Sequence, residues 1–537
     1  NNIMEKKYTK GTVIESGNLY TADLGRYDFL PEDCVVTDEP EYRAPSSAAK
    51  YPLAVAFLLK DLRNVTLDFG GAALVFHGKI VPFILDGCEN VTIRNCTIDY
   101  DRPFYTETHI LDVSEDRLAL GLKDGFPCRV EGGNLVAVST YWENRLDHGD
   151  LLMQPYDPAA GTPVSSMMLA LIGDEIFPYP DPPLPVHHLR VVGHGDKTVA
   201  LSGKFPTDWG AGTDLAFTHE IRDKNTFTAV GCSGVTLENV RIFHGAAMGF
   251  VGMHSRDLIF RRFDMYRDEA HPNYVTNNAD AIHTFGCSGK ICIEDCRMDS
   301  MLDDSLNVHG NFTVTERVSG KTILARSPGK GMTNRMKNYL PGTKIAVYNG
   351  QTTEQKRTLT VACCEPDSKD ERLFVLTTEE DAADVCTGDL IENLSGNADV
   401  TVRNCTFGRF RGTMRIQTRG TVLIKNCSFA NPNDNVLFSG DSVYWYESGP
   451  VRNVMLENCR FGGAINACPQ VTVTKKAPYY HSGIKIESCR FATDIIFKGI
   501  QTDRMRFVGN TCDSGKIPTV KLCGCGICEA DCTVVRE

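Results

Sequence analysis

Three aspartates near the middle of the chain have the types and spacing for chemistry. Asp280 lies in Asn277-Asn278-Ala279-Asp280-Ala281-Ile282, and Asp303 and Asp304 follow in Leu302-Asp303-Asp304-Ser305-Leu306-Asn307-Val308-His309-Gly310. Adjacent carboxylates repel, which raises the proton affinity of at least one of them unless something neutralises it. Inverting hydrolysis of a glycosidic bond uses such a set. One carboxyl protonates the leaving oxygen, a second activates a water from about 6.5–9.5 Å away, and a third can help to hold that water. Two other uses stay open on the residues alone. Clustered carboxylates bind calcium, as a calcium-dependent lyase would need, and they can form the solvated face of an inert scaffold. Because neighbours in a straight strand point to opposite faces, the acid–base reading requires a bend at Asp303-Asp304.

The elements that must position these residues come from an internal repeat. One pattern recurs in Asn64-Val-Thr-Leu-Asp-Phe, Asn90-Val-Thr-Ile-Arg-Asn-Cys-Thr-Ile, Gly234-Val-Thr-Leu-Glu-Asn-Val-Arg-Ile, Asp257-Leu-Ile-Phe and Lys290-Ile-Cys-Ile-Glu-Asp-Cys-Arg-Met. It resumes in Asp399-Val-Thr-Val-Arg-Asn-Cys-Thr-Phe, Thr421-Val-Leu-Ile, Asn453-Val-Met-Leu, Gly483-Ile-Lys-Ile and Arg504-Met-Arg-Phe. Period-two alternation makes short strands with one buried face. The Asn before Cys (Asn95, Asn404, Asn426, Asn458) suits a tight bend, since Asn tolerates left-handed backbone angles. Many starts lie about 21 to 33 residues apart, the length of one solenoid coil, and a single coil cannot bury its own inner face. The expected fold is all-β: a parallel β-helix, right-handed by the general chirality of parallel crossovers. Asp280 and the aspartate pair then fall about one coil apart.

Two stretches break the repeat and divide the chain into 1–105 (cap and first coils), 106–225, 226–310 (coils with the aspartates), 311–397 and 398–537 (last coils). Both 106–225 and 311–397 carry short alternating strands and turn residues, as expected of two small inserted antiparallel β-barrels. The first holds a stiff Pro-rich surface loop, Phe177-Pro178-Tyr179-Pro180-Asp181-Pro182-Pro183. The insertions could be substrate walls or an interface between copies of the chain, so homo-oligomer formation is left open.

Composition narrows the function classes. A formal net charge of -12 over 537 residues argues against nucleic acid, which is bound by clustered Lys and Arg, and for the same reason disfavours uronate-rich pectin. No apolar run approaches the 18 residues of a membrane span; the longest is Leu53–Leu59. Asn1–Lys7 lacks the regions of a secretory signal. The 21 cysteines recur at one repeat position and read as small buried thiols, which favours a cytoplasmic location. The tail Cys523, Cys525, Cys528 and Cys532 matches no regular metal-ligand spacing and reads as a last coil.

The order Asn-x-Asp, Asp-Asp about one coil on, then His-Gly and Arg-Ile is similar to polygalacturonase-type β-helix hydrolases. More closely, Asn278-Ala279-Asp280-Ala281-Ile282-His283 with Leu302–Gly310, in a helix carrying barrel insertions, resembles glycoside hydrolase family 110. Those are inverting exo-α-galactosidases that remove terminal α-1,3-linked galactose, as in the blood-group B antigen and linear Gal-α-1,3-Gal. The resemblance implies Asp303 as general acid, Asp280 with Asp304 as the pair holding the water, an oligosaccharide with terminal α-galactose as substrate, no cofactor and no metal. It also implies an exported or periplasmic location, the alternative to the cytoplasm. Arg415, in Met414-Arg415-Ile416, corresponds to the pectin enzymes' substrate clamp, but Gln417 stands where they have a lysine for the uronate, which favours a neutral sugar.

Asn278, His283, His309 and Trp445 are further candidates for substrate contact. A buried, satisfied histidine accounts equally well for His283, and the spacing of His309 differs from that in the pectin enzymes. Trp445, in Tyr444-Trp445-Tyr446-Glu447, could stack on a sugar face. His254 and Asn307 could line the cleft or mark coil bends. The alternatives are a β-helix glycosidase for another terminal sugar and a non-catalytic, adhesin-like carbohydrate-binding β-helix.

Overall fold

A computed structural model describes residues 4–536, except 44–50, 146–150, 160, 164–168, 173–174, 177–189, 204, 206–208, 220–223, 329–335, 368–369, 371 and 471–478. The expected Pro-rich loop at 177–183 lies outside the described residues. The chain is a parallel β-helix. One long sheet stacks the repeat strands in order, among them Arg63–Phe76, Glu89–Tyr100, Ser233–Ile242, Arg256–Asp264, Ser288–Glu294, Asp399–Arg403, Thr421–Lys425, Asn453–Glu457, Ile484–Glu487 and Met505–Val508. A second parallel sheet carries Ile80–Asp86, Phe227–Val230, Phe250–Met253, Ile282–Phe285, the start of Leu306–Ser319, Met414–Ile416 and Asp434–Phe438. A third, six-stranded sheet closes the later coils, from Arg297–Met298 to Thr511–Cys512.

The repeat explains the stacking. Apolar residues of each coil point inward, where like sits on like: Phe407, Phe429, Phe461 and Phe491 stack with centroids 4.7, 4.9 and 5.0 Å apart, a coil spacing that also suits offset aromatic stacking. Cys296, Cys405, Cys427, Cys459 and Cys489 form a buried thiol column beside them. At the bend, Asn95, Asn404, Asn426 and Asn458 have φ of 60°, 55°, 55° and 53°. Their amides form a ladder: Asn426 Nδ2 donates to Asn404 Oδ1 at 3.3 Å and Asn458 Nδ2 to Asn426 Oδ1 at 2.7 Å. Asn is used here because its side chain offsets the left-handed strain with a bond to the next coil. In the tail, Cys525, Cys528 and Cys532 pack against the end of the core, while Cys523 is exposed.

Two antiparallel units interrupt the coils. In the first, strands from Tyr105–Val113 to Asp214–Thr218 make an open nine-stranded sheet among the described residues, with a separate three-stranded sheet at Cys128–Arg145. A closed barrel was expected there. Among the described residues these strands pair along the sheet, whose edge strands Glu175–Ile176 and Arg190–His194 flank 177–189, outside the described residues. In the second, Leu306–Ser319, Thr322–Arg326, Leu373–Thr378, Gln355–Pro366, Lys344–Tyr348 and Leu390–Asn393 pair in that cyclic order, the last returning to the first. Among the described residues, no helix is long and apolar enough to cross a membrane.

Candidate active site

The register of the second sheet decides which residues meet. Ile282 pairs with Leu306 and Leu306 with Met414, so each coil repeats its predecessor's positions. Two residues before their strands, Asp280 and Asp304 hold equivalent places, Ala281 N donating to Asp304 O at 2.9 Å, while on the next coil Ser305 N reaches Thr413 O at 3.0 Å. One residue into each strand, His283, Asn307 and Arg415 form a row. Two residues further, on the same face by strand alternation, Phe285 pairs with His309 and Gln417 N reaches Val308 O at 2.7 Å on the adjacent coil. Spacing in the sequence placed Asp280 about level with the aspartate pair; the register makes Asp304 its direct neighbour. The chain bends at Leu302-Asp303, leaving Asp303 partly exposed while Asp304 is buried. The bend that the acid–base reading requires is therefore present.

Asp304 sits among donors and carboxylates. Thr413 N–H donates to its Oδ1 at 2.7 Å, and Arg415 Nε lies 3.1 Å from its Oδ2. Burial pushes its proton affinity up to about 8. Arg415 and the Thr413 N–H oppose that shift, while Asp303 and Asp280 add to it. Gly412 permits this approach, because a Cβ there would lie 2.4 Å from Asp304 Oδ1 and 2.6 Å from the Asp303 carbonyl carbon.

Asp280 is held from the other side. His283 Nδ1 is 2.6 Å from Asp280 Oδ2, His283 Nε2 is 3.0 Å from His309 Nε2, and His309 Nδ1 donates to Gly310 O at 2.6 Å. Sequence reasoning missed the next member, Glu447, although it read Trp445 two residues away. Glu447 and Ser448 pair antiparallel with Asn311 and Gly310, which brings a loop from a later coil over the site. Glu447 Oε2 accepts from Gln417 Nε2 at 2.8 Å, Oε1 accepts from Asn307 Nδ2 at 3.3 Å, and His309 Nε2 lies 3.6 Å away. Burial opposes its ionisation, yet the nearby His309, Arg415 and His283 hold its proton affinity down at about 2. The signal available in the sequence was one acidic residue beside the aromatic triplet, and nothing local tied it to His309.

The other expected residues divide. Trp445 is partly buried, two residues before Glu447. Its N–H, with those of Val443 and Tyr444, is tied to the buried Asp441 carboxylate at 2.6–2.8 Å, and Tyr444 packs edge-on against its ring at 4.8 Å. Asn278 is turned inward, fully buried, with Nδ2 donating to Phe104 O at 3.0 Å; it fastens the first insertion to the coil. His254 has φ 49° and packs edge-on against Phe285, as a coil bend. Asn307 lies in the His283–Arg415 row. The first insertion also clamps the segment leading to Asp280. Glu107 accepts the Tyr274 N–H at 2.6 Å, Asp214 accepts the Tyr274 hydroxyl at 2.6 Å, and Tyr156 stacks on its ring at 4.8 Å.

The site thus gathers four carboxylates, two linked histidines and one arginine, a set suited to acid–base chemistry on a bound polar molecule. No protein-family model matches the chain. Sequence relatives do. A protein of Bacteroides thetaiotaomicron is 26% identical over 487 residues, covering 88% of this chain and 76% of its own. One of Shewanella woodyi is 24% identical over 502 residues, covering 91% and 79%, and one of Bacteroides fragilis is 24% identical over 492, covering 87% and 77%. All three are named α-1,3-galactosidase. The likeness to these α-1,3-galactosidases runs through coils and insertions alike. Among solved structures, the tailspike of Pseudomonas phage LKA1 aligns with 89% of this chain and 66% of its own, at 10% identity and a TM-score of 0.20.

Proposed function

We propose that this protein is an inverting exo-α-galactosidase that hydrolyses terminal α-1,3-linked galactose from oligosaccharides such as linear Gal-α-1,3-Gal or the blood-group B determinant. The observation that carries this reading is the direct stacking of Asp280 on Asp304, with the more exposed Asp303 beside them at a bend. Asp303 is the carboxyl with access to a leaving oxygen, so it is the general acid. Asp280 and Asp304 share one rung position and together hold the attacking water. Both Asp304 oxygens already face donors, which suits a group that positions water better than one that delivers a proton. Glu447, held ionised, adds buried negative charge that would repel a uronate, and with Gln417 in place of a lysine the site favours a neutral sugar. Trp445 supplies a stacking face. The names borne by the sequence relatives support galactose as that sugar.

The test is proton NMR of Gal-α-1,3-Gal and the fucosylated B trisaccharide with the protein, following the anomeric signal of released galactose. β-Galactose should appear first, and the two substrates separate linear from branched preference. Asp303→Asn should lose about 10²–10⁴-fold on the disaccharide yet keep activity on α-galactosyl fluoride, whose leaving group needs no proton. Asp280→Asn should lose both. First appearance of α-galactose would overturn the inverting assignment, and no release from any α-galactoside would overturn the substrate.

A further inference from the structure

Three consecutive hydrogen bonds run from the buried Asp280 to the Gly310 carbonyl through His283 and His309, and each needs one proton. A carbonyl can only accept, so His309 Nδ1 carries a hydrogen. One hydrogen lies between the two Nε2 atoms and one between His283 Nδ1 and Asp280 Oδ2. Two neutral imidazoles supply two of these three. The third makes either Asp280 a neutral acid or the histidine pair a cation.

The surroundings choose between them. Carboxylates flank the pair at both ends, Asp280 beside His283 and Glu447 3.6 Å from His309. Arg415 lies one rung beyond Asn307 with its Nε turned to Asp304 Oδ2 at 3.1 Å, and Asp303 stands on the same coil as Asp304. An excess proton on the histidines is thus enclosed by negative charge on two sides, in a region of low dielectric where such charge counts most.

Resting on the galactosidase reading, we propose that His283 and His309 share one excess proton as a buried cation that keeps Asp280 ionised and aimed, so that they are the positioning pair of the catalytic base. In the reaction the water oxygen bonds to the anomeric carbon as the bond to the leaving oxygen breaks. Asp303 gives its proton to that oxygen, Asp280 takes the water's proton, and the shared proton stays on the histidines.

His283→Asn tests this, because the Asn amide can still donate to Asp280 but has no second ring nitrogen to face His309. In nitrogen-15-labelled protein, the Nδ1 atoms of both His283 and His309 should carry hydrogen, in far-downfield N–H resonances that His283→Asn and His309→Gln remove, whereas a neutral Asp280 would leave His283 Nδ1 without one. With melting temperature checked, His283→Asn should lower kcat about 10²-fold on both the disaccharide and α-galactosyl fluoride and shift the basic limb of the pH profile, whereas Asp303→Asn spares the fluoride. Wild-type rates and pH profile in His283→Asn would overturn the proposal, as would a wild-type spectrum without those resonances. A wild-type protein inactive on both substrates would instead overturn the galactosidase reading, and the resonances would still decide whether the proton is shared.

Discussion

Arg415 Nε lies 3.1 Å from Asp304 Oδ2, and its charge also helps to hold Glu447 ionised. One guanidinium therefore serves carboxylates from two parts of the chain, the coil below it and the loop over it. Removing Arg415 takes a compensating charge from the buried, ionised Glu447, and a buried charge left without compensation costs about 3–5 kcal/mol. Arg415→Ala should lower stability by that order in urea denaturation and abolish turnover. Arg415→Lys should recover part of the stability but less of the activity, since a point charge lacks the planar fork.

Asp304 and Glu447 make stability depend on pH in opposite senses. Asp304 binds its proton more tightly folded, at about 8, than at its ordinary value of 3.8. Between those values the folded state holds more protons than the unfolded one, and this group's contribution falls as pH rises. Glu447, held near 2 against an ordinary value of 4.5, contributes above 4.5 and loses that contribution as pH falls towards 2. Unfolding free energies measured from pH 4 to 8 should decline less in Asp304→Asn than in the wild type. The destabilisation caused by Glu447→Gln should shrink between pH 4.5 and 2.

Asn278→Ala should behave as a structural change. Its fully buried amide donates to the Phe104 carbonyl, which keeps the His219 N–H as a second donor, so losing the Asn278 bond costs about 0.5–1.5 kcal/mol. The expected result is a lower melting temperature with KM for the disaccharide unchanged; a raised KM at unchanged stability would put Asn278 in contact with substrate instead.

Asn426 tests the coil architecture. At φ 55°, an alanine meets the left-handed penalty of about 1–2 kcal/mol and loses amide bonds to both neighbouring coils. Asn426→Ala should destabilise more than Asn426→Gly, which loses the ladder without the strain.

The β-helix was legible in the sequence because its determinants are local and repeated. Alternation set the strands, and Asn before Cys marked the left-handed bends. The cluster of Asp280, Asp303 and Asp304 could be read for the same reason, since a regular coil converts sequence distance into stacking. Asn278 shows the limit of that reading: the Asn-x-Asp pattern drew it towards substrate, but packing against Phe104 turned its amide inward. The pairing order of the first insertion's strands was likewise not written in their alternation, because alternation gives a strand its faces and not its partners.

From the sequence alone follow the coil, its core of stacked Phe and Cys, and three carboxylates brought to one region. Tertiary structure decided the register that stacks Asp304, rather than Asp303, on Asp280, and the return of Glu447 to His309. Both depend on contacts between residues far apart in the chain. A loop closing across more than a hundred residues is held by backbone pairing at Gly310-Asn311 and by buried charge, and neither leaves a periodic trace in the amino-acid order.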